Sequence, residues 1–202
     1  MNLSFFKIKL EISYLLLSFL AIIVIAEVFN NFLWCISAVV IHELGHIIPM
    51  CMFGYRPEKI KFSLFEISIT DNTRQKRSFW QNFFIILFGP FVNFICFISF
   101  YLLYLYGKDF YLPIAIANLS VGLFNILPVL SLDGGQLLYL ILCRKITERN
   151  AERVVDILTF IFIFPLFALG FLLLFNSKYN FSLLFVCVYL IFSLVLKNNR
   201  YY

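Results

Sequence analysis

Long apolar stretches alternate with short polar connections along almost the whole of this 202-residue chain. Six stretches are long enough to cross a hydrocarbon core of about 30 Å as helices. They lie at residues 10–29, 32–53, 79–106, 111–130, 154–175 and 181–196. The pattern predicts a single all-α polytopic membrane domain over residues 1–202, with six transmembrane helices. A further short helix is expected at residues 133–143, beginning near the membrane surface.

The connection at residues 54–78 has a different pattern from the others. Residues 59–64 and 65–70 alternate partly between polar and apolar side chains, which is typical of short strands. Asp71 and Asn72 follow them as a turn signal. The sequence therefore predicts a small surface β-hairpin after the second span.

Composition and charge indicate the environment of the chain. Its residues are 62% hydrophobic and only 13% charged, whereas a soluble domain is nearer half apolar and a quarter charged. Fourteen of the 16 lysines and arginines fall at the termini and in the loops on one side of the predicted spans. This positive-inside bias predicts a multi-pass membrane protein with both termini in the cytoplasm. The bias also accounts for the net charge of +5, so nucleic acid is not an expected partner.

His42, Glu43 and His46 form the motif H-E-x-x-H inside the second span, and the two histidines are the only ones in the chain. Residues four apart share one face of a helix, so both imidazoles can bind one metal ion with Glu43 beside them. A rise of about 1.5 Å per residue places His42 about 15 Å and His46 about 21 Å below the outer boundary. A carboxyl group at that depth is costly and indicates function. The structural alternatives are a protonated or paired Glu43 and histidines that bond a neighbouring helix.

Two histidines do not complete a catalytic zinc site, which generally has three protein ligands and one water. Since there is no third histidine, a carboxylate or a cysteine has to supply the third ligand. Asp133 is the best candidate, because Pro128 breaks the fourth span and Gly134-Gly135 leaves the backbone free just after the aspartate. The alternative is that Asp133 caps the N-terminus of the short helix.

Asparagines accompany both helix breaks. Asn125 precedes Pro128, where its amide can bind a substrate backbone, the developing oxyanion or the carbonyl groups freed by the proline. The residues alone leave these roles of Asn125 open. Asn93 follows Gly89-Pro90 in the third span, and helix packing is the expected role there.

Three motif blocks together resemble the site-2 protease family of intramembrane zinc metalloproteases, peptidase family M50. The blocks are H-E-L-G-H at residues 42–46, G-P-x-x-N at residues 89–93, and N-x-x-P followed by L-D-G-G at residues 125–135. The layout is most similar to the branch of stage IV sporulation protein FB, which has six spans, a cytoplasm-facing site and no PDZ domain. The loop at residues 54–78 is too short for a PDZ domain. No CBS domain is expected, because the sequence stops soon after the last predicted span.

The resemblance implies a zinc endopeptidase that cleaves a membrane-associated protein within or near the bilayer during regulated proteolysis. One catalytic Zn²⁺ would be held by His42, His46 and Asp133. Glu43 would act as the general base, and Asn125 would orient the substrate. The sporulation branch also implies a bacterial cell membrane, membrane regulators and a sporulation sigma-factor precursor as substrate. The predicted hairpin would offer a strand edge to an unwound substrate segment.

Three other interpretations use the same residues. A six-span carrier or channel would bind a transported metal and would tolerate Glu43→Gln. A haem- or metal-binding electron carrier would use both histidines, although their spacing on one helix suits a single zinc better than the two axial positions of a haem. An inactive protease relative would act as a binding partner, and the intact Glu43 disfavours that interpretation.

Overall fold

The computed structural model describes residues 2–5, 8–12, 29–55, 59–62, 67–70 and 76–176. Five helices occur in these ranges: α1 (Phe29–Met52), α2 (Phe79–Leu105), α3 (Leu112–Ile126), α4 (Asp133–Leu142) and α5 (Glu148–Asn176). Four strands occur in the same ranges: β1 (Asn2–Phe5), β2 (Ile8–Ile12), β3 (Lys59–Phe62) and β4 (Ile67–Thr70). A 3-10 turn at Asp109–Tyr111 leads into α3. The chain forms two compact units, Met1–Leu123 and Phe124–Tyr202.

Helices occupy the central predicted spans. Three stretches in the described part of the chain are long and apolar enough to cross a membrane, and they are Leu33–Met52, Phe79–Leu105 and Asp109–Ile126. They correspond to the second, third and fourth predicted spans, of which the fourth ends earlier than expected. α5 covers the fifth predicted span as one continuous helix. Residues 13–28 of the first predicted span and the whole of the sixth lie outside the described residues.

The predicted start of the first span is wrong, because residues 10–12 belong to strand β2. The sequence predicts an all-α domain with one hairpin, and the structure has two further strands, β1 and β2, which that prediction does not include. Both corrections have the same physical cause. Ile8, Leu10 and Ile12 alternate with charged residues, and a period of two is the signal of a strand rather than of a helix.

The four strands form one sheet in the order β1-β2-β3-β4. β1 pairs with β2 and β3 with β4 in antiparallel fashion, whereas β2 and β3 run parallel, with Leu10 opposite Ile60. β3 and β4 lie within the two segments for which the sequence predicts a hairpin, and the residues that join them fall outside the described ranges. β1 and β4 are the outer strands of this sheet, so each has a backbone edge on which a further strand can pair.

Local signals determine where the helices begin and end. α2 starts with a capping box, in which the Ser78 side chain accepts from the N–H of Gln81 and the Gln81 side chain accepts from the N–H of Ser78. A cap of this type stabilises a helix by about 1 kcal/mol. α3 ends at Ile126, because Pro128 disfavours helical geometry in the residue before it.

Each unit has its own packing. In the first unit α1 packs against α2, and in the second unit α4 packs against α5. Val129, Leu132 and Ile163 form a buried apolar cluster in the second unit. Large apolar side chains on other helix faces are exposed, for example Leu44 on α1 and Phe164 on α5. Such an outward apolar surface fits a lipid environment better than water.

Candidate metal centre

The two histidines lie one turn apart on the face of α1 that packs against α2. His42 is buried and His46 is half-buried, whereas Leu44 and Ile48 on the opposite face are exposed. The imidazole rings meet edge to face, with Nε2 of His46 3.2 Å from Nε2 of His42. The helical period therefore brings both side chains to one point, as the motif predicts.

Hydrogen bonds determine which nitrogen of each ring carries the proton. Nδ1 of His42 lies 2.8 Å from Oδ1 of Asn93, and Nδ1 of His46 lies 2.8 Å from the backbone carbonyl oxygen of Ile85. Carbonyl oxygens only accept, so both Nδ1 atoms donate, and the lone pair of each neutral ring is on Nε2. The two Nε2 atoms lie 3.2 Å apart, so both rings present a possible metal-binding nitrogen at the same place.

The separation of the two Nε2 atoms fits a tetrahedral zinc ion. Zinc binds imidazole nitrogen at about 2.0–2.1 Å, which puts two ligands of a tetrahedron about 3.3–3.4 Å apart. The observed 3.2 Å is close to that edge length. Axial ligands on opposite sides of a haem iron would be separated by about 4 Å, twice a metal–nitrogen bond. The geometry of the pair therefore favours one zinc over a haem.

Glycines allow α2 to approach the two histidines closely. A β-carbon on Gly89 would overlap Cε1 and Nε2 of His46 and would lie 3.0 Å from Cε1 of His42. A β-carbon on Gly45 of α1 would lie 2.7 Å from the carbonyl oxygen of Phe88. Neither position has room for a larger residue, so the close helix contact and the space for the rings both depend on glycine.

Asn93 has a role that the sequence alone does not indicate. Its side chain is fully buried, and its Oδ1 accepts from His42 while its Nδ2 donates to the carbonyl oxygen of Ala38 and to Oδ1 of Asn118. Helix packing alone is therefore an incomplete description of Asn93. Sequence reasoning also misses Asn118, for which the signal was an amide in the middle of an apolar span.

Tyr55 and Gln81 join the ends of the two helices. The hydroxyl of Tyr55, just after α1, donates to Oε1 of Gln81 in the first turn of α2 at 3.2 Å. The guanidinium of Arg77 lies over the Tyr55 ring, 4.8 Å from its centroid. Burial lowers the pKa of this guanidinium, and the contact with the ring offsets part of its desolvation. This group of residues keeps the two helices aligned at one end.

In the second unit, Asp133 is the first residue of α4 and is buried. The N-cap position belongs to Leu132, and no side chain caps the helix. The alternative interpretation of Asp133 as an N-cap is therefore wrong. A carboxylate in the first turn is stabilised by the helix dipole and is a common zinc ligand.

The glycines after Asp133 allow close packing of the backbone. A β-carbon on Gly134 would overlap the carbonyl group of Ile126, and one on Gly135 would overlap the carbonyl group of Val129. The backbone before the helix thus folds directly onto its first turn. The expectation of a free backbone at these glycines is corrected to a closely packed one.

A threonine on α5 holds the middle of the same segment. The backbone N–H of Leu130 donates to Oγ1 of Thr159 at 2.9 Å, and that hydroxyl donates to the carbonyl oxygen of Val155 at 2.8 Å. Thr159 is fully buried. The backbone leading to Asp133 is therefore tied to α5 by a satisfied buried hydrogen bond.

The remaining predicted site residues are placed as follows. Glu43 follows His42 on α1 and is half-buried, and Asn125 lies in the last turn of α3 and is half-buried. His42, His46 and Asp133 each offer one ligand atom of a type that binds metal ions. The first unit brings the two histidines and Asn93 together, while the roles of Glu43, Asp133 and Asn125 stay predictions.

Comparisons with known proteins find a family match over more than half of the chain. The model of peptidase family M50 matches residues 31–109 and 107–169. A zinc metalloprotease of Methanocaldococcus jannaschii is 29% identical over 152 residues, which are 68% of this chain and 43% of that protein. Stage IV sporulation protein FB of Bacillus subtilis (strain 168) is 28% identical over 120 residues, 57% of this chain and 41% of that protein. The chain thus spans less than half the length of these curated relatives.

A solved structure, the site-2 protease from Methanocaldococcus jannaschii, shares the fold. The comparison gives a TM-score of 0.71 and covers 96% of this chain and 93% of that chain, at 22% identity. The family match includes more than half of the sequence and all three motif blocks. The family resemblance predicted from those blocks is therefore confirmed, and the chain, an integral membrane protein, belongs to peptidase family M50.

Proposed function

We propose that this chain is an intramembrane zinc metalloendopeptidase that hydrolyses a membrane-associated protein within or near the bilayer. The observation that carries the proposal is the pair of imidazoles on α1. Bonds at both Nδ1 atoms leave the Nε2 atoms facing each other 3.2 Å apart, a spacing that suits zinc. Membership in a peptidase family supports peptide-bond hydrolysis as the reaction.

The proposed ligands of one Zn²⁺ are His42, His46 and Asp133. Two imidazoles and a carboxylate form a donor set found in catalytic zinc sites, where the fourth position is kept for water. Asp133 is buried in the first turn of α4, where the helix dipole favours an ionised carboxylate that can bind a cation, and this supports its assignment.

When bound, zinc supplies Lewis acidity, which lowers the pKa of water toward about 7 and polarises the scissile carbonyl group. Glu43, adjacent to His42 on α1, accepts the proton of the attacking water and delivers it to the departing amine. Asn93 and the Ile85 carbonyl keep both imidazoles in one orientation during these transfers. Asn125 donates to the substrate backbone or to the developing oxyanion.

The substrate must present an extended segment, because a helix hides its amides in its own hydrogen bonds. We propose that such a segment pairs with the open edge of β4. Removing residues 59–70 should then abolish cleavage while zinc stays bound. The family resemblance makes a sporulation sigma-factor precursor the first substrate to test, in a bacterial cell membrane with both termini of the enzyme in the cytoplasm.

Quantitative proteomics of host membranes tests the proposed reaction and identifies the substrate together. Membranes that contain the wild-type chain are compared with membranes that contain Glu43→Gln. The matched control is Glu148→Gln, an exposed glutamate in the first turn of α5. An uncut membrane-associated protein should accumulate with Glu43→Gln and with neither of the other two chains.

Zinc content is measured on the same three proteins. Bound zinc with identical membrane proteomes would contradict the enzyme and would favour a metal carrier or an inactive relative. A purified wild-type protein that contains no zinc would contradict the proposed cofactor.

A further inference from the structure

Buried amides form a hydrogen-bond chain that ends at His42. Asn118 of α3 and Asn93 of α2 are both fully buried. Nδ2 of Asn118 donates to the carbonyl oxygen of Ile114 at 2.8 Å, and Oδ1 of Asn118 accepts from Nδ2 of Asn93 at 3.0 Å. Nδ2 of Asn93 also donates to the carbonyl oxygen of Ala38 at 3.0 Å, and Oδ1 of Asn93 accepts from His42 at 2.8 Å.

All donors in this chain point in one direction. The Ile114 carbonyl can only accept, so it orients the Asn118 amide with its oxygen toward Asn93. That oxygen and the Ala38 carbonyl together orient the NH₂ group of Asn93, so its oxygen faces His42. Turning either amide by 180° would oppose like groups in an apolar interior and would leave buried polar groups without their bonds, which is unfavourable.

We propose that Asn118 is a positioning residue of the metal centre. Acting through Asn93, it holds His42 in the tautomer with the proton on Nδ1 and the lone pair on Nε2. This inference rests on the proposed role of His42 as a zinc ligand. It goes beyond that role, because it makes an amide on another helix responsible for the form of the ligand.

Packing alone does not account for a pair of amides at this place. A leucine has the same branched heavy-atom skeleton as asparagine, although its two methyl groups are larger, and it has no desolvation cost in an apolar bundle. Groups that bond a metal-ligating histidine typically change metal affinity by about 10–100-fold when they are removed. Because Asn118 lies one bond further from the imidazole, the expected effect of its removal is about 3–10-fold.

The test measures which nitrogen of each imidazole carries the proton. The chain has only two histidines, so ¹⁵N spectra of the full-length protein labelled in histidine contain two rings, and they are recorded on the metal-free protein because zinc on Nε2 would itself place the proton on Nδ1. Both rings should show a protonated Nδ1 in the wild type. In Asn118→Leu, one ring should lose this single state, and zinc affinity measured against a competing chelator should fall about 3–10-fold.

Two further variants separate positioning from structure. Asn118→Asp should behave like the wild type, because a neutral carboxylic acid in the bilayer still offers one donor and one acceptor. Ser99→Ala on α2 removes a side-chain bond to the carbonyl oxygen of Ile95 that lies outside the amide chain, and it should change neither the spectrum nor the affinity.

An unchanged spectrum and affinity in Asn118→Leu would overturn the inference. If that variant does not fold, the wild-type spectrum decides, because a proton on Nε2 of His42 would also overturn it. Failure of the wild type to bind zinc would instead contradict the proposed function. The spectrum of the metal-free protein would then still test whether Nδ1 of His42 carries the proton.

Discussion

The two regions that carry the proposed zinc ligands position them by different means. On α1 the orientation of the side chains is fixed, because His42 and His46 each have a hydrogen-bonded Nδ1 and Gly89 leaves room for their rings. Before α4 the position of the backbone is fixed, because two glycines allow close packing and Thr159 bonds the segment that leads to Asp133.

The difference follows from the chemistry of the ligands. An imidazole binds a metal through one nitrogen, so both its tautomer and its ring orientation must be fixed. An ionised carboxylate can bind through either oxygen, so the place of its backbone matters most. Damage to the first region should therefore appear in metal binding, and damage to the second region should appear first in stability.

Gly89→Ala should have the largest effect on zinc. The new β-carbon would take the place of the His46 ring, and that ring can turn away at little cost to the fold. Zinc affinity should fall at least about 100-fold, the upper range for damage around a metal ligand, and cleavage should be lost. Zinc content after dialysis and the thermal unfolding temperature of the metal-free protein together check this.

Ser99→Ala on α2 is the control for Gly89→Ala. It removes a side-chain bond to the carbonyl oxygen of Ile95 on the same helix and should leave zinc content unchanged. A Gly89→Ala protein with wild-type zinc content would contradict the arrangement of the rings against α2.

Gly134→Ala should reduce stability more than zinc binding, which is the opposite of the result expected for Gly89→Ala. Here the new β-carbon would meet backbone rather than a flexible side chain, so the segment has to distort. The free energy of unfolding should fall by about 1–3 kcal/mol even without metal, and cleavage should fall with it. Equal unfolding temperatures for metal-free Gly134→Ala and metal-free Gly89→Ala would remove the distinction between the two regions.

Thr159→Val should produce a smaller loss of stability. Valine keeps the shape of threonine but leaves the buried N–H of Leu130 without its acceptor, which costs about 1–3 kcal/mol. Thr159→Ser keeps the hydroxyl group and should lose less. Chemical denaturation of the three proteins in the same detergent measures the difference, and a Val variant as stable as wild type would show that the bond contributes nothing.

Tyr55→Phe should have the smallest effect. It removes one partly buried hydrogen bond to Gln81 and keeps the ring beneath Arg77, so stability should fall by about 0.5–1.5 kcal/mol at most. Zinc affinity should stay at the wild-type value, since this contact lies beyond the last turn of α1. A fall in affinity larger than the loss of stability would mean that the helix ends control the rings.

The sequence predicts the pairing of His42 with His46 because it depends only on the period of one helix. The contact of His42 with Asn93 was out of reach, because it depends on how two helices pack across 51 positions of sequence. The end of α3 near Pro128 follows from local backbone rules. The two N-terminal strands had a visible alternation, but the apolar run that follows them obscured it.

Zinc K-edge X-ray absorption of the purified full-length protein identifies the ligands of the bound metal. We expect one zinc per chain, with two imidazole nitrogens and oxygen ligands at about 2.0–2.2 Å. Asp133→Ala should lower zinc content after dialysis, because one protein ligand is lost, and Glu43→Gln should leave the spectrum unchanged. Sulfur ligands at about 2.3 Å, a single imidazole, or wild-type zinc content in Asp133→Ala would contradict the proposed site.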